Sequence, residues 1–141
     1  LLSIKNGKVY TYDYVNSNGI QDSADIITAC SDLKAFNYQL ISPSNSPSYI
    51  HNGGTLPNTT YFKKVTDRTF GEVSGQDIAD LSGLTNEFVT VAQGDLVAFI
   101  TEAGHKGYLK VVAIDEPDGS AGDADDELTL DVKAVMANEL P

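Results

Sequence analysis

The chain has 141 residues, of which 41% are hydrophobic and 21% charged, and its formal net charge is −11. This length and composition are typical of one globular domain with its own core, and they exclude a disordered chain. The carboxylate excess excludes nucleic acid as a partner, because Lys and Arg must neutralise phosphates there. No apolar run is long enough for direct membrane insertion of this domain.

The first patterned segment, residues 8–15, alternates polar and apolar positions after the turn-forming pair Asn6 and Gly7. Alternation predicts a strand, with Tyr10, Tyr12 and Tyr14 on one face. Such a row can present a stacking surface for sugar rings, with phenol hydroxyls as hydrogen-bonding groups. It can equally be half-buried sheet packing. The three tyrosines are therefore a candidate glycan-binding surface.

Two short elements follow. Residues 25–29 are rich in β-branched side chains and predict a strand. Ser74 followed by Asp77 is a helix-capping pattern, and Gly83 is a stop signal. The sequence therefore predicts one short helix near residues 75–82.

The second half of the chain alternates repeatedly between strand and turn signals. Strands are predicted over residues 88–91, 96–101, 108–114 and 128–135, with glycine-containing turns around Gly94 and Gly104. Short connections require antiparallel pairing, because a parallel crossover is longer. We therefore expect an all-β fold, either a two-layer antiparallel sandwich or an open barrel, over residues 1–141. An α+β domain, with the short helix packed on one sheet, is the alternative.

The most acidic segment is residues 115–127, in which seven of thirteen residues are Asp or Glu. Carboxylates on a glycine-containing loop are the ligands that Ca²⁺ prefers, although the spacing does not match an EF-hand. A solvated hairpin loop is the other interpretation. The candidate metal ligands are Asp115, Asp118, Asp123, Asp125 and Glu127.

Catalytic motifs are absent from the sequence. The two histidines, His51 and His105, lie in separate loops without metalloprotease spacing, and neither a nucleophile elbow nor a phosphate-binding glycine loop occurs. Two of the many carboxylates could still meet as a glycosidase pair. The sequence predicts a protein that is not an enzyme, with a hydrolase acting on carbohydrate as an alternative.

Residues 94–111 carry a pattern that resembles uncharacterised exported proteins and lipoproteins of Bacteroidetes bacteria. Those proteins have a Gly-Asp-x-x-Ala-Phe-x-Thr strand, a Gly-Lys-x-Gly-Leu hairpin and a Lys-Val strand. Here residues 94–101 read Gly-Asp-Leu-Val-Ala-Phe-Ile-Thr, and residues 104–111 read Gly-His-Lys-Gly-Tyr-Leu-Lys-Val. The resemblance implies export and display on the cell envelope by lipid attachment upstream of Leu1, and it implies no activity.

These observations predict a non-enzymatic module of a secreted or cell-envelope protein, with a structural role or a glycan or protein partner. A calcium-stabilised extracellular domain is a second possibility. No cofactor is expected, and Ca²⁺ is the one candidate ion. Since the chain starts abruptly at Leu1, it represents either a mature product or a domain excised from a longer protein.

Overall fold

The computed structural model describes residues 1–30, 38–45, 56–115 and 127–140. Within these ranges the regular structure is mainly β-strand, with two short helices, neither long and apolar enough to cross a bilayer. The strands are β1 (Leu2–Ser3), β2 (Lys8–Val9), β3 (Ile27–Cys30), β4 (Tyr38–Ile41), β5 (Thr60–Val65), β6 (Phe88–Thr90), β7 (Leu96–Thr101), β8 (Lys106–Asp115) and β9 (Glu127–Val135). The helices are α1 (Tyr12–Ser17) and α2 (Gly75–Ala79).

The strands form two sheets and a small hairpin, and every strand pair among the described residues is antiparallel. The hairpin joins β1 and β2. The three-stranded sheet has the order β3-β4-β6, and the four-stranded sheet has the order β5-β7-β8-β9. The predicted antiparallel meander is confirmed as β7, β8 and β9.

The main hydrophobic core lies between the inner faces of the two sheets. The three-stranded sheet contributes Tyr38 and Leu40, and the four-stranded sheet contributes Phe62, Val97, Phe99, Leu109 and Val111. Because side chains alternate along a strand, the intervening residues point to the opposite faces. The fold is therefore an antiparallel sandwich, as the sequence predicts.

Both outer faces of the sandwich are also partly covered. Leu96, Ala98 and Tyr108, on the outer face of the four-stranded sheet, pack with Val73 and Ile78 from α2 and the segment before it. This double burial explains why β7 is a continuous apolar run instead of an alternating one. The packing of a helix on one sheet also fits the α+β alternative.

Helix α2 begins where the capping pattern predicts. The Ser74 hydroxyl accepts a hydrogen bond from the Asp77 amide at 3.2 Å, and Asp77 Oδ2 accepts one from the Ser74 amide at 2.8 Å. This reciprocal capping box satisfies amide groups that have no partner inside the helix. The helix ends at Ala79, and the left-handed Gly83 (φ 68°) follows.

The strand predicted over residues 8–15 is wrong beyond Val9. Thr11 caps helix α1 instead, since its hydroxyl accepts a hydrogen bond from the Tyr14 amide at 3.2 Å. The helix places Val15, which is fully buried, in a cluster with Ile27 and Ile41 on the outer face of the three-stranded sheet. Burial of Val15 and the Thr11 cap therefore outweigh the local alternation of tyrosines.

Candidate functional site

A pocket of about 480 Å³ lies on the outer face of the four-stranded sheet. Its floor includes Ala98 of β7 and Tyr108 of β8, and its walls are the end of β5 with residues 66–68 and the end of α2 with residues 80–84. Helix α2 packs chiefly on β8 and β9, which leaves the β5 side of this face open. The volume is in the range of small-molecule binding sites.

Two lysines of the sheet fix the α2 wall of this pocket. Lys106 Nζ donates a hydrogen bond to the carbonyl oxygen of Ala79 at 3.0 Å. Lys133 Nζ donates to the carbonyl oxygens of Phe70 at 2.7 Å and Val73 at 3.1 Å. Carbonyl groups at the end of a helical turn lack intrahelical donors, and a cation there is favourable. The wall is therefore attached to the sheet at both ends of α2.

Arg68 and Asp77, which both line this pocket, form an ion pair. Arg68 Nη1 donates to Asp77 Oδ1 at 2.5 Å, while Asp77 Oδ2 accepts from the Ser74 hydroxyl at 2.6 Å. The hydrogen bonds from the hydroxyl and the amide of Ser74 have the largest effect, and together with the bond from Arg68 they lower the pKa of Asp77 to about 2. Asp77 is therefore ionised at neutral pH and orients the guanidinium, whose Nε also lies 3.6 Å from Asp67 Oδ1.

Two polar side chains of the pocket have no partner in the described part of the chain. Tyr108 is only 5% exposed, yet its hydroxyl makes no hydrogen bond there. Burial raises the pKa of this phenol, and the nearby charge of Arg68 opposes the rise. Lys63 lies in register with Ala98, is exposed, and likewise has no hydrogen bond or ion pair. Both groups can therefore bond to a ligand without breaking a protein contact.

A second pocket of about 390 Å³ adjoins the first and shares Val65, Thr66 and Arg68 with it. The remaining lining residues are Thr69, Phe70, Gly94, Asp95, Leu96 and Lys110. We call the two pockets together the groove. Because Arg68 belongs to both pockets, a ligand longer than one ring would pass over it.

Comparisons with known proteins bear on the fold alone. No protein-family model and no curated protein matches the chain. Among solved structures, a DUF4466 family protein from Parabacteroides merdae is similar, with a TM-score of 0.62 and 18% identity. The match covers 92% of this chain and 45% of that one, so the chain spans less than half of its neighbour. The likeness is to a protein of an uncharacterised family from a Bacteroidetes bacterium.

A separate pocket of about 330 Å³ brings Asp25 near His105. Asp25 is 5% exposed, and its Oδ2 accepts a hydrogen bond from the Ile4 amide at 2.7 Å. Burial raises the pKa of Asp25, whereas the hydrogen bond from the Ile4 amide opposes the rise. His105 Nδ1 accepts from the Ala137 amide at 3.0 Å, so the neutral ring carries its proton on Nε2. The other histidine, His51, lies outside the described residues.

The predicted row of tyrosines is not a row in the structure. The rings of Tyr10 and Tyr14 stack on each other, with centroids 5.6 Å apart and an interplanar angle of 6°. Tyr14 is 52% exposed, and the side chain of Tyr12 lies outside the described part. One face of Tyr14 is therefore already covered by Tyr10. Glycan binding by these residues stays a prediction.

Two of the five predicted metal ligands lie in the described residues. Asp115 ends β8 and Glu127 begins β9, and the register places them directly opposite each other. Asp118, Asp123 and Asp125 lie outside the described residues. In the ranges that the structure describes, no group of three or more His, Cys, Asp or Glu side chains is arranged to hold a metal ion. Calcium binding by this loop stays a prediction.

The sequence reasoning missed the groove. The sequence predicts Asp77 only as a helix cap, and Arg68, Lys63 and Tyr108 belong to no predicted site. One signal was available, because three of the nine basic residues fall between positions 63 and 68 in a chain of net charge −11. Such a cluster in an acidic protein indicates local charge compensation or a ligand.

Proposed function

We propose that the chain is a non-catalytic glycan-binding module of a cell-envelope protein, and that the groove is its binding site. The observation that carries the proposal is the Arg68–Asp77 ion pair, held by Ser74 in the same pocket as the buried hydroxyl of Tyr108, which has no hydrogen-bond partner among the described residues. The proposal places the ligand on the four-stranded sheet instead of on helix α1.

The chemistry of the pocket suits a polyhydroxylated ring. Sugar hydroxyls donate and accept hydrogen bonds at once, so they need both kinds of partner in fixed positions. Arg68 and Lys63 supply donors, Asp77 supplies acceptor oxygens, and the Tyr108 hydroxyl can act in either role. The charged lining residues balance in number at three basic and three acidic, namely Lys63, Lys64 and Arg68 against Asp67, Asp77 and Asp80, and Lys64 also pairs with Asp95 outside this pocket. A pocket without an excess of positive charge, in a chain of net charge −11, favours a neutral polar ring over a polyanion.

The state of Asp77 favours binding over hydrolysis in this pocket. A general acid must hold a proton near the working pH and then release it. The pKa of Asp77 is about 2, so the group is a permanent carboxylate at neutral pH. Ser74 donates two hydrogen bonds to Oδ2 and Arg68 donates one to Oδ1, which leaves acceptor capacity on Oδ1 for a ligand hydroxyl. A fixed carboxylate of this kind orients a ligand and does not exchange protons with it.

Replacing Tyr108 by Phe tests the site with little structural change. The ring keeps its packing, and no hydrogen bond within the described residues is lost. The matched control is Tyr61→Phe, because Tyr61 lies on the same sheet face but does not line either pocket of the groove. A glycan array first identifies the ligand, and calorimetry then compares the variants.

We expect Tyr108→Phe to weaken glycan binding about three- to tenfold, the value of one hydrogen bond. Tyr61→Phe should bind like the parent protein. Absence of binding to any glycan on the array would refute the proposed function. Equal affinity of the two variants would refute the groove as the site.

The proposed location is the cell envelope, with lipid attachment upstream of Leu1. Its support is the resemblance of residues 94–111 to exported lipoproteins, together with the Bacteroidetes origin of the structural neighbour. Labelling of the full-length protein with an alkyne fatty acid in its native bacterium tests this directly. An unlabelled protein found only in the cytoplasm would contradict it.

A hydrolase acting on carbohydrate is the second candidate, and the Asp25–His105 pocket favours it. A carboxyl group with a raised pKa beside an imidazole is a combination used in acid–base catalysis. The test is product analysis of array-positive glycans after incubation with the parent protein and with Asp25→Asn. Hydrolysis that disappears in the variant would support catalysis, and intact glycans in both samples would reject it.

A further inference from the structure

We infer that the second pocket of the groove takes an acidic sugar unit, so that the ligand is an oligosaccharide in which a carboxylate-bearing residue adjoins a neutral one. This inference rests on the proposed glycan-binding function and names the class of glycan. Its basis is the charge lining the second pocket, which differs from the balanced charge of the first.

The second pocket has two cations and one anion, namely Arg68 and Lys110 against Asp95. Asp95 is already neutralised, because its Oδ2 lies 2.7 Å from Lys64 Nζ and also accepts a hydrogen bond from the Ala92 amide at 2.8 Å. Arg68 is likewise paired, because its guanidinium contacts Asp77 and Asp67. Among the described residues, the one cation of this pocket that has no ion pair is therefore Lys110.

Lys110 is the uncompensated charge in this pocket. Asp131 stands opposite it in the β8–β9 register, yet the two form no ion pair, and no other described acidic side chain pairs with Lys110. The chain has twenty acidic residues against nine basic ones, so the lack of a partner for Lys110 within the described ranges is not explained by a shortage of carboxylates. A ligand carboxylate would complete its coordination by charge-assisted hydrogen bonds.

The remaining lining of the second pocket fits a sugar ring. Phe70 and Leu96 supply apolar surface, and Thr66 supplies a hydroxyl. The Phe70 ring is held in place by the Lys133 ammonium, which lies 4.8 Å from its centroid. An aromatic surface beside hydroxyl and cationic groups matches the mixed apolar and polar faces of a uronic acid.

Lys63 and Lys110 have no ion pair in the described part of the chain, and their positions indicate the length of the ligand. Lys63 on β5 and Lys110 on β8 are separated by β7, and Lys110 is two residues beyond the row that contains Lys63 and Tyr108. Strand spacing and rise per residue place their Cα atoms about 12 Å apart. Both pockets are large enough for a small ligand, so the groove suits at least two linked sugar units.

The test uses pairs of oligosaccharides that differ only at the carboxyl group. Each oligosaccharide in which a uronic acid is linked to a neutral sugar, cellobiouronic acid among them, is compared by calorimetry with the same oligosaccharide after reduction of its carboxyl to a primary alcohol. We expect the acidic member to bind about tenfold more tightly, with the preference falling as salt increases. Lys110→Gln should reduce the preference to less than about threefold. The control, Lys8→Gln on the β1–β2 hairpin, should leave it unchanged.

The outcomes separate this inference from the proposed function. Equal binding of acidic and reduced oligomers, or binding of neutral glycans alone, would overturn the acidic subsite while leaving a glycan-binding groove. A preference that survives in Lys110→Gln would also overturn it. No binding to any oligomer or array glycan would overturn both. Tyr108→Phe should weaken the acidic and reduced members alike, because its hydroxyl lines the first pocket.

Discussion

Replacing Gly107 by Ala should destabilise the protein strongly, although the change adds one methyl group. A Cβ at Gly107 would collide with the backbone carbonyl oxygen of Lys133 on β9 and would lie 2.7 and 2.9 Å from two carbons of the Phe99 ring. The carbonyl cannot move without separating β8 from β9, and the Phe99 ring is fully buried between the sheets. Neither neighbour can therefore yield at low cost.

The expected loss follows from two opposing effects. Overpacking of this kind costs up to about 3 kcal/mol, while alanine lowers the entropy of the unfolded chain and returns about 0.5–1 kcal/mol. The net decrease in the free energy of unfolding is about 2 kcal/mol, which corresponds to a fall of about 7 °C in melting temperature. Urea denaturation monitored by circular dichroism measures it.

Gly71→Ala is the matched control, because nothing lies within 4 Å of a Cβ at Gly71 and its φ is not positive. That variant should have unchanged stability, or a gain of up to about 1 kcal/mol. A loss below about 0.5 kcal/mol in Gly107→Ala would refute the argument that β9 approaches β8 too closely for any side chain. A similar loss in both variants would attribute the effect to glycine replacement in general.

Four further predictions concern charged groups. Lys133→Met should lower the free energy of unfolding in urea by about 1–2 kcal/mol, because the Val73 carbonyl loses its donor and the Phe70 carbonyl keeps only the Val73 amide; unchanged stability would contradict this docking role. The lowered pKa of Asp77 stabilises the fold above its ordinary pKa, and this contribution should vanish as pH falls toward 2, so the melting temperatures of the parent and Asp77→Asn should converge in acid. Because burial raises the pKa of Asp25 in the folded state, protonation of this group favours folding, and the stability of the protein should increase as pH falls through that pKa; an identical pH profile in Asp25→Asn would disprove it. Since Asp115 and Glu127 face each other in register, Ca²⁺ should raise the melting temperature and a chelator should reverse the rise, whereas no response would remove the metal.

Local interactions explain the parts of the fold that the sequence predicts. The bounds of β7, Leu96–Thr101, match the prediction because turns at Gly94 and Gly104, both with positive φ, delimit the strand. The start of α2 is likewise predictable, because Ser74 and Asp77 are three residues apart and satisfy each other's capping groups. Signals of this range depend on neighbours along the chain and are readable without knowing the fold.

Helix α1 shows where local signals are insufficient. The alternation of residues 8–15 is compatible with a strand, and the Thr11 cap and the burial of Val15 against Ile27 and Ile41 favour a helix. The Thr11 cap is a local but weak signal, whereas the burial of Val15 depends on residues twelve or more positions away. The burial of Val15 could not be inferred before the three-stranded sheet was known.

The sequence by itself determined an acidic antiparallel β domain with a capped helix near residue 75, since periodicity, glycine turns and capping pairs act over a few residues. Only the tertiary structure decided the candidate site. Arg68 and Asp77 are nine positions apart, and Tyr108 lies forty positions beyond Arg68. They meet because the register of β5, β7 and β8 aligns Lys63 with Tyr108, while Lys106 and Lys133 hold α2 against the same face. Pairing between distant strands and the docking of a helix leave no short-range pattern in the chain.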